Sequence, residues 1–154
     1  PPRSTLFPYT TLFRSLALQE AGIFCLLLEA MPTQPAAKLA QKLRIPVYGI
    51  GAGTDLDGQL IIMHDLLGLY ASFRPWFAKC YVPQAAQRYA AHLAANPDLR
   101  KLGREERADG LGFIAAEAIS IYVDEVRSGA YPGEEYSYPL KAEELAELTR
   151  SKYW

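Results

Sequence analysis

The stretch IPVYGIGAGTDLDGQLIIMHD, residues 45–65, decides the fold class of this chain. It contains two short apolar runs, Val47 to Ile50 and Leu60 to Met63, joined by a bend rich in glycine and aspartate. Each run is too short for a buried helix and carries turn signals on both sides, which predicts two buried strands. Gly49, Gly51 and Gly53 fall at alternate positions, so in a strand they would leave one face bare for a ligand or a second backbone to approach. The second run exits through His64 and Asp65, two titratable groups at a predicted strand end. Buried strands with polar C-terminal ends predict a parallel α/β sheet with its site along that edge.

Upstream, Ile23 to Leu28 is a continuous apolar run and a third predicted strand, ending at Glu29. Before it, Leu16 to Ala21 reads as the end of a helix with Gly22 as its stop. Thr33 is placed to cap a helix over Gln34 to Leu43, with Pro35 tolerated in the first turn and Arg44-Ile45-Pro46 ending it. This makes a βαβ unit from Ile23 to Ala52. The link from Gly53 to Gly58 is too short for an ordinary crossover helix, and by spacing alone it predicts a hairpin. Downstream the chain reads as helical. Pro75 can open a helix towards Leu93 that Pro83 should break or kink, and Arg104 to Val126 carries Leu111, Ile114, Ala118, Ile121 and Val126 at helical spacing with Gly129 as a stop. A short helix is predicted over Lys141 to Lys152.

These blocks carry a family resemblance. Ile45 to Leu69, IPVYGIGAGTDLDGQLIIMHDLLGL, resembles the signature of the ketopantoate hydroxymethyltransferases (3-methyl-2-oxobutanoate hydroxymethyltransferases). LLLEAMP, residues 26–32, is similar to that family's strand ending in a glutamate, and YVDEVRSGAYPGEEYS, residues 122–137, is similar to its C-terminal segment. The resemblance covers roughly Leu16 to Tyr138. It implies that this is the C-terminal part of a TIM (β/α)8 barrel, its last three strands followed by C-terminal helices, with the strands parallel despite the short link after Gly53. Residues 16–138 would be the barrel portion and 139–154 a helical tail. The longer segment from Val82 to Arg107, the extended tail and Tyr136, which stands where a histidine is common, depart from the family pattern.

The implied activity is the transfer of a hydroxymethyl group from methylene-tetrahydrofolate to 2-oxoisovalerate, giving ketopantoate in pantothenate biosynthesis. The resemblance makes Glu29 the general base that removes the proton beside the ketone, with Mg²⁺, chelated by the keto acid, stabilising the enolate. The family's magnesium ligands and keto-acid-binding lysine come from earlier strands, so no metal ligand is expected in this chain and the chain alone is expected to be inactive. A homo-oligomeric parent is implied as well. Gly49, Gly51, His64 and Asp65 are expected to line the site. Asp55 and Asp57 are expected to bond locally in their turn. The residue types leave other roles open: Glu29 paired with a lysine or arginine, or His64 and Asp65 serving structure. Alternative readings of the whole are a fragment of a related keto-acid lyase or mutase barrel, or a non-catalytic α/β module.

The N-terminus reads differently. Thr5 to Ser15, TLFPYTTLFRS, resembles the in-frame translation of a sequencing-adapter oligonucleotide, so residues 1–15 are expected to be foreign to the fold and to pack poorly; a natural strand over Leu6 to Phe13 is the alternative. Composition bounds the remainder. Half of the 154 residues are hydrophobic and the formal net charge is −1, ordinary for one globular domain and without the footprint of a nucleic-acid or membrane partner. Cys25 and Cys80 are isolated, with no zinc-type spacing, and a cytoplasmic location fits.

Overall fold

The structure is a computed structural model that describes residues 3–70, 72–97 and 110–150. The described residues divide into two compact units, one formed by those within 3–60 and 131–150 and the other by those within 61–130.

In the first unit, helix α1 (Arg3–Glu20) leads into strand β1 (Leu26–Glu29), helix α2 (Thr33–Lys42), strand β2 (Val47–Ile50) and strand β3 (Gly58–Gln59). The three strands form one sheet in the order β1-β2-β3. Both pairings are parallel, with Leu26 opposite Val47, Glu29 opposite Ile50, and Tyr48 and Gly49 opposite Gly58 and Gln59. The parallel direction is the one implied by the resemblance, and the hairpin predicted by loop length does not form. Asp57 supplies the physical reason. Its carboxylate accepts the Val47 N–H at 2.7 Å and its own N–H donates to the Val47 carbonyl at 2.9 Å. This docks the returning chain at the start of β2, so it can only run alongside in the same direction.

The core of this unit is Leu28, Met31, Ala36, Leu39, Leu43, Val47 and Ala52, with Leu12, Leu16, Leu26, Ala40, Ile45 and Leu56 packed around it. Helix α2 contributes Ala36 and Leu39 at helical spacing, which lays one face of it over β1 and β2. Helix α1 ends as expected at Gly22. The Gly22 N–H donates to Gln19 O and the Ile23 N–H to Leu18 O, the paired bonds that close a helix whose next residue is left-handed.

Several expectations are corrected here. Residues 3–15 are helical rather than a strand, and within them Leu12 lies against the core and Ser15 is buried. Leu12 and Leu16 stand four apart on one face of α1, so burial follows from helical spacing whatever the origin of the run. The first strand is shorter than Ile23 to Leu28, and Phe24 is 86% exposed. The third strand is Gly58–Gln59 rather than Leu60 to Met63. Leu60 donates one further ladder bond to Gly49 O, but Leu60, Ile62 and Met63 are exposed. Helix α2 begins at Thr33 with Pro32 before it and no side-chain cap; the Thr33 hydroxyl donates instead to Tyr138 O.

The second unit contains helix α3 (Met63–Leu66), helix α4 (Val82–Ala95) and helix α5 (Gly110–Ser128). Pro83 opens α4 rather than kinking it, because a proline in the first turn has no intrahelical N–H to lose. Helix α4 packs on α5 through Tyr89 and His92, whose rings lie 5.2 and 5.1 Å from Phe113, and through the Arg88–Glu117 ion pair. Of the predicted apolar stripe on α5, Ala118 and Ile121 are buried while Leu111 is exposed. The expected start at Arg104 and residues 98–109 of the longer segment lie outside the described residues, as do 151–154. In the first unit again, α6 (Ala142–Thr149) supplies the predicted short polar helix.

A polar knot staples the second unit. Lys79 Nζ lies 2.6 and 2.7 Å from the two oxygens of Glu125, and the fully buried Tyr81 donates its hydroxyl to Glu125 Oε2 at 2.8 Å. Tyr81 also packs edge-on against Tyr122, whose phenol burial pushes above its ordinary value near 10. Glu125→Gln keeps the size of the side chain but removes its charge and leaves Lys79 short of an acceptor. It is expected to cost ~1–2 kcal/mol, read from urea unfolding, with most of the loss absent in a Lys79→Met background.

Candidate active site

The C-terminal ends of the parallel strands carry the candidate groups, as barrel sheets place them. Glu29 is the last residue of β1, directly opposite Ile50 of β2. Its side chain is exposed, and among the described residues no ion pair holds it. The backbone turns sharply after it. Ala30 has φ +51°, the one non-glycine residue with positive φ among those described, and its N–H donates to Ile50 O at 2.8 Å. An L-residue with a side chain in this conformation carries strain, which the parallel bond to β2 holds in place. Ala30→Gly is therefore expected to raise stability by ~0.5–1 kcal/mol, measured by thermal unfolding.

The glycine alternation has a different basis from the one expected. Gly49 alone lies within a strand; Gly51 and Gly53 lie beyond β2. At Gly49 an added Cβ would fall 2.5 Å from Leu56 Cδ1, so the missing side chain makes room for the returning loop. At Gly53, with φ +86°, an added Cβ would collide with Cγ2 of Thr33 and come within 2.9 Å of its Cβ and Oγ1. The loop after β2 thus rests on the first turn of α2, just past Glu29. Gln59, which sequence reasoning passed over, ties the same loop: its Nε2 donates to Gly53 O at 2.8 Å. The available signal was a glutamine immediately before the apolar run Leu60 to Met63. Asp57 bonds ten residues back to Val47 rather than within its turn, and Asp55 lines a separate shallow hollow with Ala40 and Leu56.

His64 and Asp65 do not end a strand. They lie on the single turn of α3, because the chain leaves the sheet after Leu60. Asp65 is 8% exposed and His64 is exposed. The turn closes with the Gly68 N–H on Asp65 O and the Leu69 N–H on His64 O. The structure thus brings Glu29, Gly49 and Gly51 together in the first unit and His64 with Asp65 in the second. Among the described residues no group of three or more His, Cys, Asp or Glu could hold a metal ion. No described helix is long and apolar enough to cross a membrane.

The geometry can be set beside known proteins. A family model described as ketopantoate hydroxymethyltransferase matches residues 10–96. A 3-methyl-2-oxobutanoate hydroxymethyltransferase of Chloroflexus aurantiacus (strain ATCC 29366 / DSM 635 / J-10-fl) is 39% identical over 132 residues, covering 86% of this chain and 37% of that protein. The enzyme of the same name from Pelobacter propionicus (strain DSM 2379 / NBRC 103807 / OttBd1) is 39% identical over 124 residues, covering 80% and 36%. That of Caldicellulosiruptor saccharolyticus (strain ATCC 43494 / DSM 8903 / Tp8T 6331) is 35% identical over 121 residues, covering 79% and 36%. The chain therefore spans somewhat more than a third of the length of these curated relatives. With the family model matching more than half of its residues, and with parallel strands that end in a glutamate and a glycine-rich loop, the chain belongs to the ketopantoate hydroxymethyltransferase family.

Proposed function

We propose that this chain works as the C-terminal portion of a (β/α)8-barrel hydroxymethyltransferase that converts 2-oxoisovalerate to ketopantoate, with Glu29 as the general base. The observation that carries the reading is the placement of Glu29 at the C-terminal end of a parallel strand, followed by a strained turn and flanked by a glycine-rich loop. Strands adjacent in sequence are also adjacent in the sheet, as around a barrel, and among the described residues β1 leaves one edge unpaired, with its Leu27 half exposed. A barrel closes with about eight strands, so this sheet would be completed by strands from outside the chain.

In this reading the Glu29 carboxylate takes the proton from the carbon beside the ketone. The resulting enolate forms a carbon–carbon bond to the one-carbon unit of methylene-tetrahydrofolate, and with water consumed, tetrahydrofolate leaves. Glu29 is exposed in this chain, and in the proposed barrel it would be covered by elements beyond these strands. Magnesium is the expected electrophile of the family. Its ligands are expected, as the family resemblance implies, on barrel strands outside this chain. The same reading carries a homo-oligomeric enzyme in the cytoplasm.

The test is direct. The full-length protein carrying this chain, supplied with 2-oxoisovalerate, methylene-tetrahydrofolate and magnesium, should form ketopantoate, detected by mass spectrometry. Absence of product under conditions where a characterised relative is active would refute the reading. The 154-residue chain alone should form none.

A further inference from the structure

The turn after Glu29 differs from the other left-handed turns of the described chain. Gly22, Gly51, Gly53, Gly68 and Gly129 have positive φ, as suits residues without a side chain; the remaining described residue in that region is Ala30, at φ +51°, directly after the candidate base. Both sides of this turn are anchored within the first unit. On the near side the Ala30 N–H, which belongs to the same peptide group as the Glu29 carbonyl, donates to Ile50 O at 2.8 Å. On the far side Met31 is 3% exposed within the core, and the Thr33 N–H donates to Tyr138 O at 3.3 Å. The alternation of β1 puts Leu28 in the core and Glu29 on the opposite face of the sheet. Between those anchors Ala30 is the residue that turns the chain off the sheet.

We propose that Ala30 is a positioning residue for Glu29; the assignment rests on the hydroxymethyltransferase reading above. The anchors require a left-handed residue at this point, and glycine would meet that requirement without strain. Glycine, however, ranges over a broad region at positive φ, whereas a residue with a Cβ is confined there to one small well. The Ala30 methyl thus narrows the rotations on either side of its own Cα and, through the shared peptide group, the backbone orientation of Glu29. A base that must meet its C–H within about 3–3.5 Å loses rate when its position spreads. Strain is kept beside the base because it fixes the geometry there, and stability is given up in exchange. Ala30 takes no proton itself and acts through Glu29.

The experiment follows exchange of the proton beside the ketone of 2-oxoisovalerate in D₂O by NMR, with magnesium and the full-length protein carrying this chain, over a range of keto-acid concentrations. Ala30→Gly is expected to lower kcat for exchange by ~3–10-fold and to leave KM within about 2-fold of the parent's, while its melting temperature equals or exceeds the parent's. Ala30→Ser keeps a Cβ and should recover most of the lost rate. In a Glu29→Gln background Ala30→Gly should have no further effect on the residual rate, because the base it positions is gone; a merely structural alanine would not show that coupling. Parent kcat in Ala30→Gly, an equal loss in Ala30→Ser, an undiminished penalty in the Glu29→Gln background, or a rate loss accompanied by a lower melting temperature would overturn the assignment. Parent kcat in Ala30→Gly with exchange lost in Glu29→Gln rejects the positioning role and keeps the base. Exchange at the parent rate in Glu29→Gln, or none by the parent, rejects the base and this inference with it, whatever the Ala30 variants do.

Discussion

Glu29→Gln, made in the full-length protein carrying this chain, is expected to lower ketopantoate formation by at least ~100-fold, the usual scale for a lost general base. Glutamine keeps the length of the side chain and part of its hydrogen bonding but cannot accept the proton. The fold should survive, because the Glu29 side chain is exposed and no ion pair among the described residues depends on it. Its backbone place in β1 opposite Ile50 is indifferent to the substitution. Circular dichroism and thermal melting matching the parent would show that the loss is chemical. Glu29→Asp separates position from charge: it keeps a base but withdraws it by one methylene, and should recover part of the rate. A Gln variant retaining more than about a tenth of the activity would place the base elsewhere, since general-base removal does not leave so much.

The second large effect is on stability. Gly53→Ala should destabilise the protein by ~2–4 kcal/mol, the sum of a side chain forced into positive φ and a steric overlap in a packed loop. Residue 53 has φ +86°, and an added methyl would collide with the Thr33 side chain. Thr33 is short and β-branched, its hydroxyl is engaged with Tyr138 O, and it opens α2, so it has little room to give. The measurement is the urea midpoint of the variant against the parent. Adding Thr33→Ala should return the steric part and leave the backbone part. A variant as stable as the parent would show that the loop after β2 moves freely and is not braced on α2.

The strands that position the candidate base were legible because burial selects residue types. Ile23 to Leu28 and Val47 to Ile50 are apolar runs flanked by turn formers, and each carries a strand, the first only from Leu26. The direction of the third strand was not legible from spacing. Loop length favours a hairpin, and the parallel pairing is fixed by one side chain, Asp57, bonding ten residues back to Val47. The glycine pattern drew attention to the correct residues through an incomplete argument. Alternation suggested one bare strand face, whereas Gly49 clears Leu56 and Gly53 clears Thr33 by separate means. The same is true of His64 and Asp65. Their polarity after an apolar run was visible, but the run is exposed and its last residue, Met63, already belongs to a helix, so strand ends were the wrong frame. Thr33 shows how tertiary contacts override a local rule: a good N-cap residue in sequence spends its hydroxyl on Tyr138, 105 positions away. Side-chain partners at that separation leave no local pattern to read.

Proton exchange at the carbon beside the ketone of 2-oxoisovalerate tests the central claim most directly. In D₂O it reports proton removal without needing folate or carbon–carbon bond formation, and can be followed by NMR on the full-length protein carrying this chain. The account predicts exchange by the parent protein in the absence of folate, at least ~100-fold slower in Glu29→Gln. Exchange in Glu29→Gln at nearly the parent rate would contradict it.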